Sequence, residues 1–290
     1  MLGARPLSAE SFRILREAIY NHCGIWFDDA TQFLLERRAQ PRLDALGVGD
    51  FDEYCGILRG SQPAARRAEI DELVELCTTK ETYFFRELYQ LEAFRDEILP
   101  AIFRANQKKR RITIWSAGCS SGEEAYTIAI LILESGLFVD WDVRIFGSDI
   151  SRKMLQVARR ARYGKNSFRS ADPRLLRRYF REIDGQYEVK DEVKSLVRFG
   201  HINLIDGAQS HLVGDVDVLF CRNVLIYFDL ASRRRVLEGL YQKLLPGGYL
   251  LLGHSETLLN VTTAFELVHL KSDLVYRRPP DPSTPSGTRK

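Results

Sequence analysis

ITIWSAGCSSGEEAYTIAIL, residues 112–131, opens as an apolar run and turns on seven small residues, Ser116 to Gly122. It continues as a helical pattern that begins with two acids, Glu123 and Glu124. A strand, a small-residue turn and a helix are the means by which α/β proteins bring backbone close to a nucleotide-like ligand. The same alternation follows downstream. DVRIFGSDI reads as a strand, SRKMLQVARRARYG as a helix, DVDVLFCRN as a strand, ASRRRVLEGLYQKLLPGG as a helix and turn, and YLLLGHSE and LVHLKSDLVYRR as further strands. Strands alternating with helices predict a Rossmann-like, doubly wound α/β domain with a mostly parallel sheet and right-handed crossovers.

Upstream the pattern is helical. SAESFRILREAIYNHCGI has Ser8 as N-cap, with Phe12, Leu15 and Ile19 on one face. A second helix is expected to end near Gly47, and two more follow it. These features predict an all-α N-terminal domain over 1–80 and a helical linker over 81–111, broken near Pro100. The α/β domain would span 112–278, with 172–200 as a small antiparallel β-subdomain insertion. A Pro/Ser-rich tail over 279–290 is expected to be disordered.

Composition narrows the class. With 290 residues and 45% hydrophobic content the chain can bury a sizeable core. No apolar run approaches the roughly 20 residues that span a bilayer, and the start lacks a signal-peptide pattern. Both features predict a cytoplasmic protein without membrane insertion. Five scattered cysteines without a CxxC pair predict buried, reduced thiols. No His, Asp or Glu cluster has metal-ligand spacing, so no metal is expected. A net charge of +3 does not announce a nucleic-acid binder. The stretch Arg152–Arg181 is nevertheless locally basic, with eleven Lys/Arg and one acid, Asp172. It reads as a solvated helix face or as a field for an acidic partner.

Three strand ends carry groups suited to a ligand. The first is the opening turn, with Gly118 and Gly122. The second is Asp149 in FGSDIS, where an acid commonly accepts from ribose hydroxyls. The third is Arg222 and Asn223 in LFCRNVLIYF, with Tyr227 one turn later. A dinucleotide would place phosphates at the helix start, where Glu123 and Glu124 repel them. The turn is neither GxGxxG nor a Walker loop. An adenosyl ligand with a cationic end fits better, and S-adenosylmethionine is such a ligand.

At these residues the chain resembles the chemotaxis receptor glutamate O-methyltransferases, the CheR family. TTKETYFFRE (78–87) is similar to that family's linker motif, WSAGCSSGEEAY (115–126) to its first strand and turn, and CRNVLIYF (221–228) to its fourth-strand signature. GHINL (200–204) and LLPGGYLLLGHSE (244–256) match later strands. The resemblance spans nearly the whole chain. It implies S-adenosyl-L-methionine as cofactor and glutamates of methyl-accepting chemotaxis receptors as substrate. It also implies the receptor cytoplasmic domain as partner, with the β-subdomain as a place for a receptor C-terminal peptide. Carried over by position, Thr82, Arg86 and one of Glu123 and Glu124, with Glu124 favoured, would reach the cofactor. Asp149 would hold the ribose, Asn203 and Leu204 would flank the adenine, and Arg222 and Asn223 would lie near the methionine part. Tyr227 would sit beside the transferring methyl, and Tyr227 and Arg86 would orient the reactants. Lys80 stands where the family often has Asn. The Arg152–Arg181 segment and the Arg37/Arg38 helix would meet acidic receptor helices. His254 reads as a structural histidine bonded to backbone. A nucleic-acid methyltransferase and a non-catalytic S-adenosylmethionine-binding module are the competing readings. The first lacks an Asn/Asp-Pro-Pro-aromatic strand end and aromatic-basic interleaving.

Overall fold

The computed structural model describes residues 6–210 and 212–281. The expected tail falls on 279–290, of which 282–290 lie outside the described residues. The chain divides into two compact units, one of residues 1–79 with 227–232, the other of residues 80–226 with 233–290.

The first unit is helical: α1 Ala9–Cys23, α2 Gln32–Leu46, α3 Phe51–Leu58 and α4 Pro63–Cys77. Ser8 caps α1 by accepting from the Ser11 N–H, and Asp50 caps α3 by accepting from the Glu53 N–H. Gly24 and Gly47 end α1 and α2 in the left-handed conformation. Phe12, Leu15 and Ile19 are all buried, as the spacing predicts. Arg42 grips Glu69 with two short bonds, 2.8 and 2.6 Å, and the Tyr54 hydroxyl donates to the same carboxylate. Arg38, expected to face a partner, donates instead to the Cys77 carbonyl at the end of α4 and to Thr79.

The second unit begins with the segment expected as a linker. Residues 78–87 are not helical; α5 Leu88–Ala93, a π-turn Phe94–Ile98 and α6 Leu99–Ala105 follow as one rod, with Pro100 in the first turn of α6. Pro100 directly follows the π-turn, where the rod already departs from regular α-helical bonding and the Leu99 N–H bonds to the Phe94 carbonyl. The stretch is part of the domain rather than a connector. Phe84, Phe85, Leu91, Phe94, Ile98 and Leu99 are all in the core of this unit. Phe84 stacks on Phe168 at 4.9 Å and meets the rings of Tyr163 and Phe180 edge-on at 4.9 and 5.0 Å. A buried phenylalanine contributes about 1.5–3 kcal/mol, and each such ring pair about 0.5–1.5 more.

The remaining elements are β1 Arg111–Ala117, α7 Glu123–Ser135, β2 Asp142–Asp149, α8 Arg152–Arg160, β3 Arg162–Tyr163, α9 Pro173–Tyr179, β4 Phe180–Ile183, β5 Gln186–Val189, α10 Asp191–Lys194, β6 Val197–His201, α11 Gly207–Ser210, β7 Val216–Cys221, α12 Leu230–Lys243, β8 Leu244–Leu252, β9 Glu266–His269 and β10 Leu274–Arg277. The main sheet has the order β6-β2-β1-β7-β8-β10-β9. Its first five strands run parallel, and β10 and β9 are antiparallel. LVHLKSDLVYRR is thus a hairpin and not one strand. The small antiparallel sheet β3-β5-β4 covers Arg162–Val189, earlier in the chain than expected. Val197–His201, read as part of the insertion, is the edge of the main sheet. The strand order reverses at β1, which has β2 on one side and β7 on the other, so the crevice outside its C-terminal end is where a ligand is expected.

Candidate active site

In the order of the sheet, the C-terminal ends of five parallel strands carry Asn203, Asp149, Gly118, Arg222 and Gly253. The turn after β1 is held tightly. The N–H groups of Gly118 and Cys119 both donate to the Ser148 carbonyl, at 2.7 and 2.9 Å. Gly118, Ser120 and Gly122 all have positive φ, of 78°, 49° and 93°. A Cβ on Gly122 would lie 2.8 Å from the Ala158 Cβ and 3.0 Å from the Phe199 ring, so glycine is required on two counts.

The two acids that open α7 diverge. The Glu123 side chain is buried and accepts from the Ser121 and Ser167 hydroxyls at 2.6 and 3.0 Å. It ties the turn to the segment that carries Phe168. The Glu124 carboxylate accepts from the Ser116 hydroxyl at 2.7 Å and from the Arg222 Nη1 at 3.1 Å. Burial pushes both carboxyls above their ordinary range, and the Arg222 guanidinium opposes that rise at Glu124.

Arg222 is the centre of the cluster, its side chain only 3% exposed. Its Nη2 donates to the Glu87 carboxylate at 3.0 Å and to the Arg86 carbonyl at 2.6 Å. One guanidinium therefore bridges two carboxylates, Glu87 and Glu124, from separate elements. Phe85 and Glu87 themselves stand in the left-handed region, with φ of 60° and 58°, where a non-glycine residue costs about 1–3 kcal/mol. The core contacts of Phe84 and Phe85 hold that strained segment in place.

Asp149 accepts from the Ser120 N–H and the Ser151 N–H, each at 2.8 Å. Asn203 is buried, its carbonyl oxygen accepting from the Ile205 N–H, and Leu204 lines a cleft with Trp115, Ile205 and Val236. Asn223 has φ of 59°, and its N–H donates to Glu256 at 2.7 Å. The Arg86 side chain turns back onto its own segment, donating to the Glu81 carbonyl at 3.1 Å, with its guanidinium 5.7 Å from the Tyr83 ring. Lys80 and Thr82 lie half-buried in the extended run before Phe84. Tyr227 closes a 3₁₀ turn, Leu225–Tyr227, and groups with the helical unit, where its carbonyl accepts from the Trp26 N–H at 3.0 Å.

His254, expected as a structural histidine bonded to backbone, is exposed, with its ring edge-on to Tyr89. Cys119 and Cys221 are buried, and burial raises both thiols far above neutrality, which removes them as nucleophiles. Among the described residues no group of three His, Cys, Asp or Glu is arranged to hold a metal ion. Sequence reasoning missed Glu87 and Glu256. Glu87 follows the linker motif directly, but nothing local signals that it meets an arginine 135 residues away.

A cofactor with a cationic end, polar acceptors and a sugar fits these residues. Glu87, Glu124 and Asp149 outnumber the one guanidinium. The Ser120 hydroxyl and the Arg222 Nε are buried without a hydrogen-bond partner, two donors open to a ligand's acceptors. Gly118 and Gly122 let the turn close up against Val224 on one side and against Ala158 and Phe199 on the other.

Two family models match the chain. "CheR methyltransferase, SAM binding domain" covers residues 80–274 and "CheR methyltransferase, all-alpha domain" covers residues 10–75. Among curated relatives, a chemotaxis protein methyltransferase of Vibrio parahaemolyticus is 37% identical, over 95% of this chain and 99% of its own. Chemotaxis protein methyltransferase 2 of Vibrio cholerae is 35% identical over 91% of each chain. The chemotaxis protein methyltransferase of Salmonella typhimurium is 32% identical, over 90% of this chain and 88% of its own.

Proposed function

The chain belongs to the CheR methyltransferase family, and from that membership and the strand-end cluster we propose that it methylates glutamate side chains of chemotaxis receptors, giving glutamyl methyl esters. S-adenosylmethionine is its cofactor and methylation in chemotaxis its activity. The observation that carries the reading is the Glu87–Arg222–Glu124 bridge beside the Gly118 turn. The partner is the cytoplasmic domain of a receptor, and the protein acts in the cytoplasm. Among the described residues no helix is long and apolar enough to cross a membrane.

The chemistry needs little acid–base machinery. A glutamate, with a reference pKa of about 4.3, is already ionised at neutral pH. The cofactor, when bound, supplies an electrophilic methyl on a sulfonium. Opposite charges cancel as carboxylate and sulfonium become ester and thioether, so alignment and exclusion of water carry the rate. Glu124 faces the cationic end of the cofactor, Asp149 holds the ribose, and Asn203 and Leu204 flank the adenine. Arg222 and Asn223 lie along the methionine part. Thr82 and Lys80 border the cofactor from the extended run. Tyr227 and Arg86 orient the reactants without moving a proton.

The exposed basic residues of α8, Arg152, Lys153, Arg159 and Arg160, offer a face for acidic receptor helices, and the β3–β5–β4 sheet offers one for a receptor tail peptide. A nucleic-acid substrate is not favoured. The matching family models and the curated relatives are chemotaxis methyltransferases.

Labelled methyl transferred to a receptor cytoplasmic fragment should be released as methanol by mild base, and Tyr227→Phe and Arg86→Ala should lower kcat in that assay. Cofactor binding with no base-labile label would refute the ester reading.

The electrostatics give a second expectation. A cationic ligand favours ionised Glu124, whose carboxyl burial has pushed up. As pH falls through that raised pKa, the carboxylate takes up a proton that binding must displace. Cofactor affinity should therefore weaken on acidification from pH 8 to 5, by up to about tenfold per unit. Calorimetric titration of Glu124→Gln should show weaker binding and a flatter profile; an unchanged profile would remove Glu124 from the site.

A further inference from the structure

We infer that Glu256 is a positioning residue for methyl transfer: its carboxylate holds the turn after β7 in the shape in which that turn meets the cofactor. The inference rests on the placement of Asn223 beside the cofactor proposed above.

Four backbone N–H groups converge on this one side chain. The N–H groups of Asn223 and Gly253 both donate to Oε2, each at 2.7 Å. Those of Val224 and Ile226 donate to Oε1, at 2.9 and 3.3 Å. A carboxylate offers about four acceptor sites, and here each oxygen takes two donors. Bonds of this charged kind are roughly twice as strong as neutral ones. The turn they hold is not one the backbone would choose alone, since Asn223 sits at φ of 59°.

The packing around the carboxylate is equally specific. A Cβ on Gly253 would fall 2.6 Å from the Asn223 Nδ2 and 2.9 Å from Glu256 Oε2, so the end of β8 comes up to the turn with no room for a side chain. Val224, whose N–H is one of the four, carries the methyl that covers Gly118, with a Cβ built there lying 2.4 Å away. Glu256 thereby sets the spacing between the third strand-end group and the first. The β7–β8 pairing does not require it, because that register already runs from Val218 opposite Tyr249 to Cys221 opposite Leu252. The four bonds shape what lies beyond the last paired residue.

Glutamine cannot replace this carboxylate. It has one acceptor oxygen, and its NH₂ would face two N–H donors, leaving them without partners.

The test is a double-mutant cycle on the full chain, with S-adenosylhomocysteine, the demethylated product, as the ligand titrated. Dissociation constants and melting temperatures are measured for the wild type, Glu256→Gln, Asn223→Ala and the double variant. Glu256→Gln should weaken binding by about tenfold or more. If Glu256 acts through the turn, the double variant should bind within about twofold of Asn223→Ala alone. Wild-type affinity in Glu256→Gln, or losses that multiply in the double variant, would overturn the inference. If Asn223→Ala is silent while Glu256→Gln weakens binding, the placement of Asn223 beside the cofactor falls, and the inference that rests on it falls too. Hydrogen exchange on the wild type gives a reading that needs no variant. The amides of Asn223, Val224 and Gly253 should be protected as a group, and fast exchange at them would sink the clamp.

Discussion

Arg222→Met should lower the stability of the ligand-free protein by about 3–5 kcal/mol and weaken cofactor binding by about a hundredfold or more. The side chain is 3% exposed and the two carboxylates it bridges are 14% exposed each. Methionine fills most of the volume but returns no charge, so Glu87 and Glu124 are left facing each other in a poorly hydrated space. Burial already pushes the Glu124 carboxyl up, Glu87 adds to that rise, and Arg222 is what holds it down. Removing the guanidinium raises the folded-state pKa further above the unfolded value. A carboxyl shifted in that direction contributes its full stability below the unfolded pKa, near 4.5, and loses it as pH rises through the folded pKa. The gap between variant and wild type should therefore be small near pH 5 and widen toward pH 8. Urea unfolding at both values measures it. An equal gap at the two would mean that neither carboxylate feels the arginine. Adding Glu87→Gln to Arg222→Met should recover part of the loss at pH 8, because one of the two like charges is gone.

The reason this cluster was only half legible in the sequence lies in the distance along the chain. Gly118, Asp149, Arg222 and Asn223 each stand at the end of an apolar run, so the strand pattern itself marks them as facing the crevice. Glu87 carries no such mark. It reaches Arg222 because Phe84 and Phe85 are pulled into the core, which turns the backbone into the left-handed region at positions 85 and 87. No glycine announces either turn, and FFRELYQLEAF has the spacing of a helix, so the sequence pattern points to a helix over 81–87 where the backbone has none. Glu256 was hidden differently. It sits within a stretch that reads as a strand end, but its importance comes from four N–H groups that only the folded turn brings together. The small sheet starts earlier than the sequence pattern predicts because β3 has two residues, too few for alternation to show.

Gly118→Ala should weaken cofactor binding by about thirtyfold or more, and Val224→Ala in the same chain should restore most of it. Two costs act at this position. The first is conformational: at φ of 78° an alanine pays about 1–2 kcal/mol for the left-handed region. The second is steric: the new Cβ would stand 2.4 Å from the Val224 Cγ2, a separation that real Cβ atoms do not show. Neither partner can move aside cheaply. The Gly118 N–H is bound to the Ser148 carbonyl at 2.7 Å, and the Val224 N–H is bound to Glu256 at 2.9 Å. The overlap must therefore be relieved by shifting one strand-end turn against the other, which displaces Arg222 and Asn223 from the ligand crevice. A 1 Å misplacement of such groups can cost about a hundredfold. Val224→Ala removes the offending methyl, and the remaining neighbour, the Val224 Cβ, lies at an ordinary 3.5 Å. Only the conformational cost then persists. Gly136→Ala isolates that cost, since its φ is 64° and nothing lies within 4 Å of the added Cβ. It should lower the melting temperature slightly and leave cofactor affinity untouched. If Gly118→Ala behaves like Gly136→Ala, the turn has more room than its neighbours imply. If Val224→Ala fails to rescue it, the loss comes from the cofactor's own contact with the added methyl, and Gly118 touches the ligand directly.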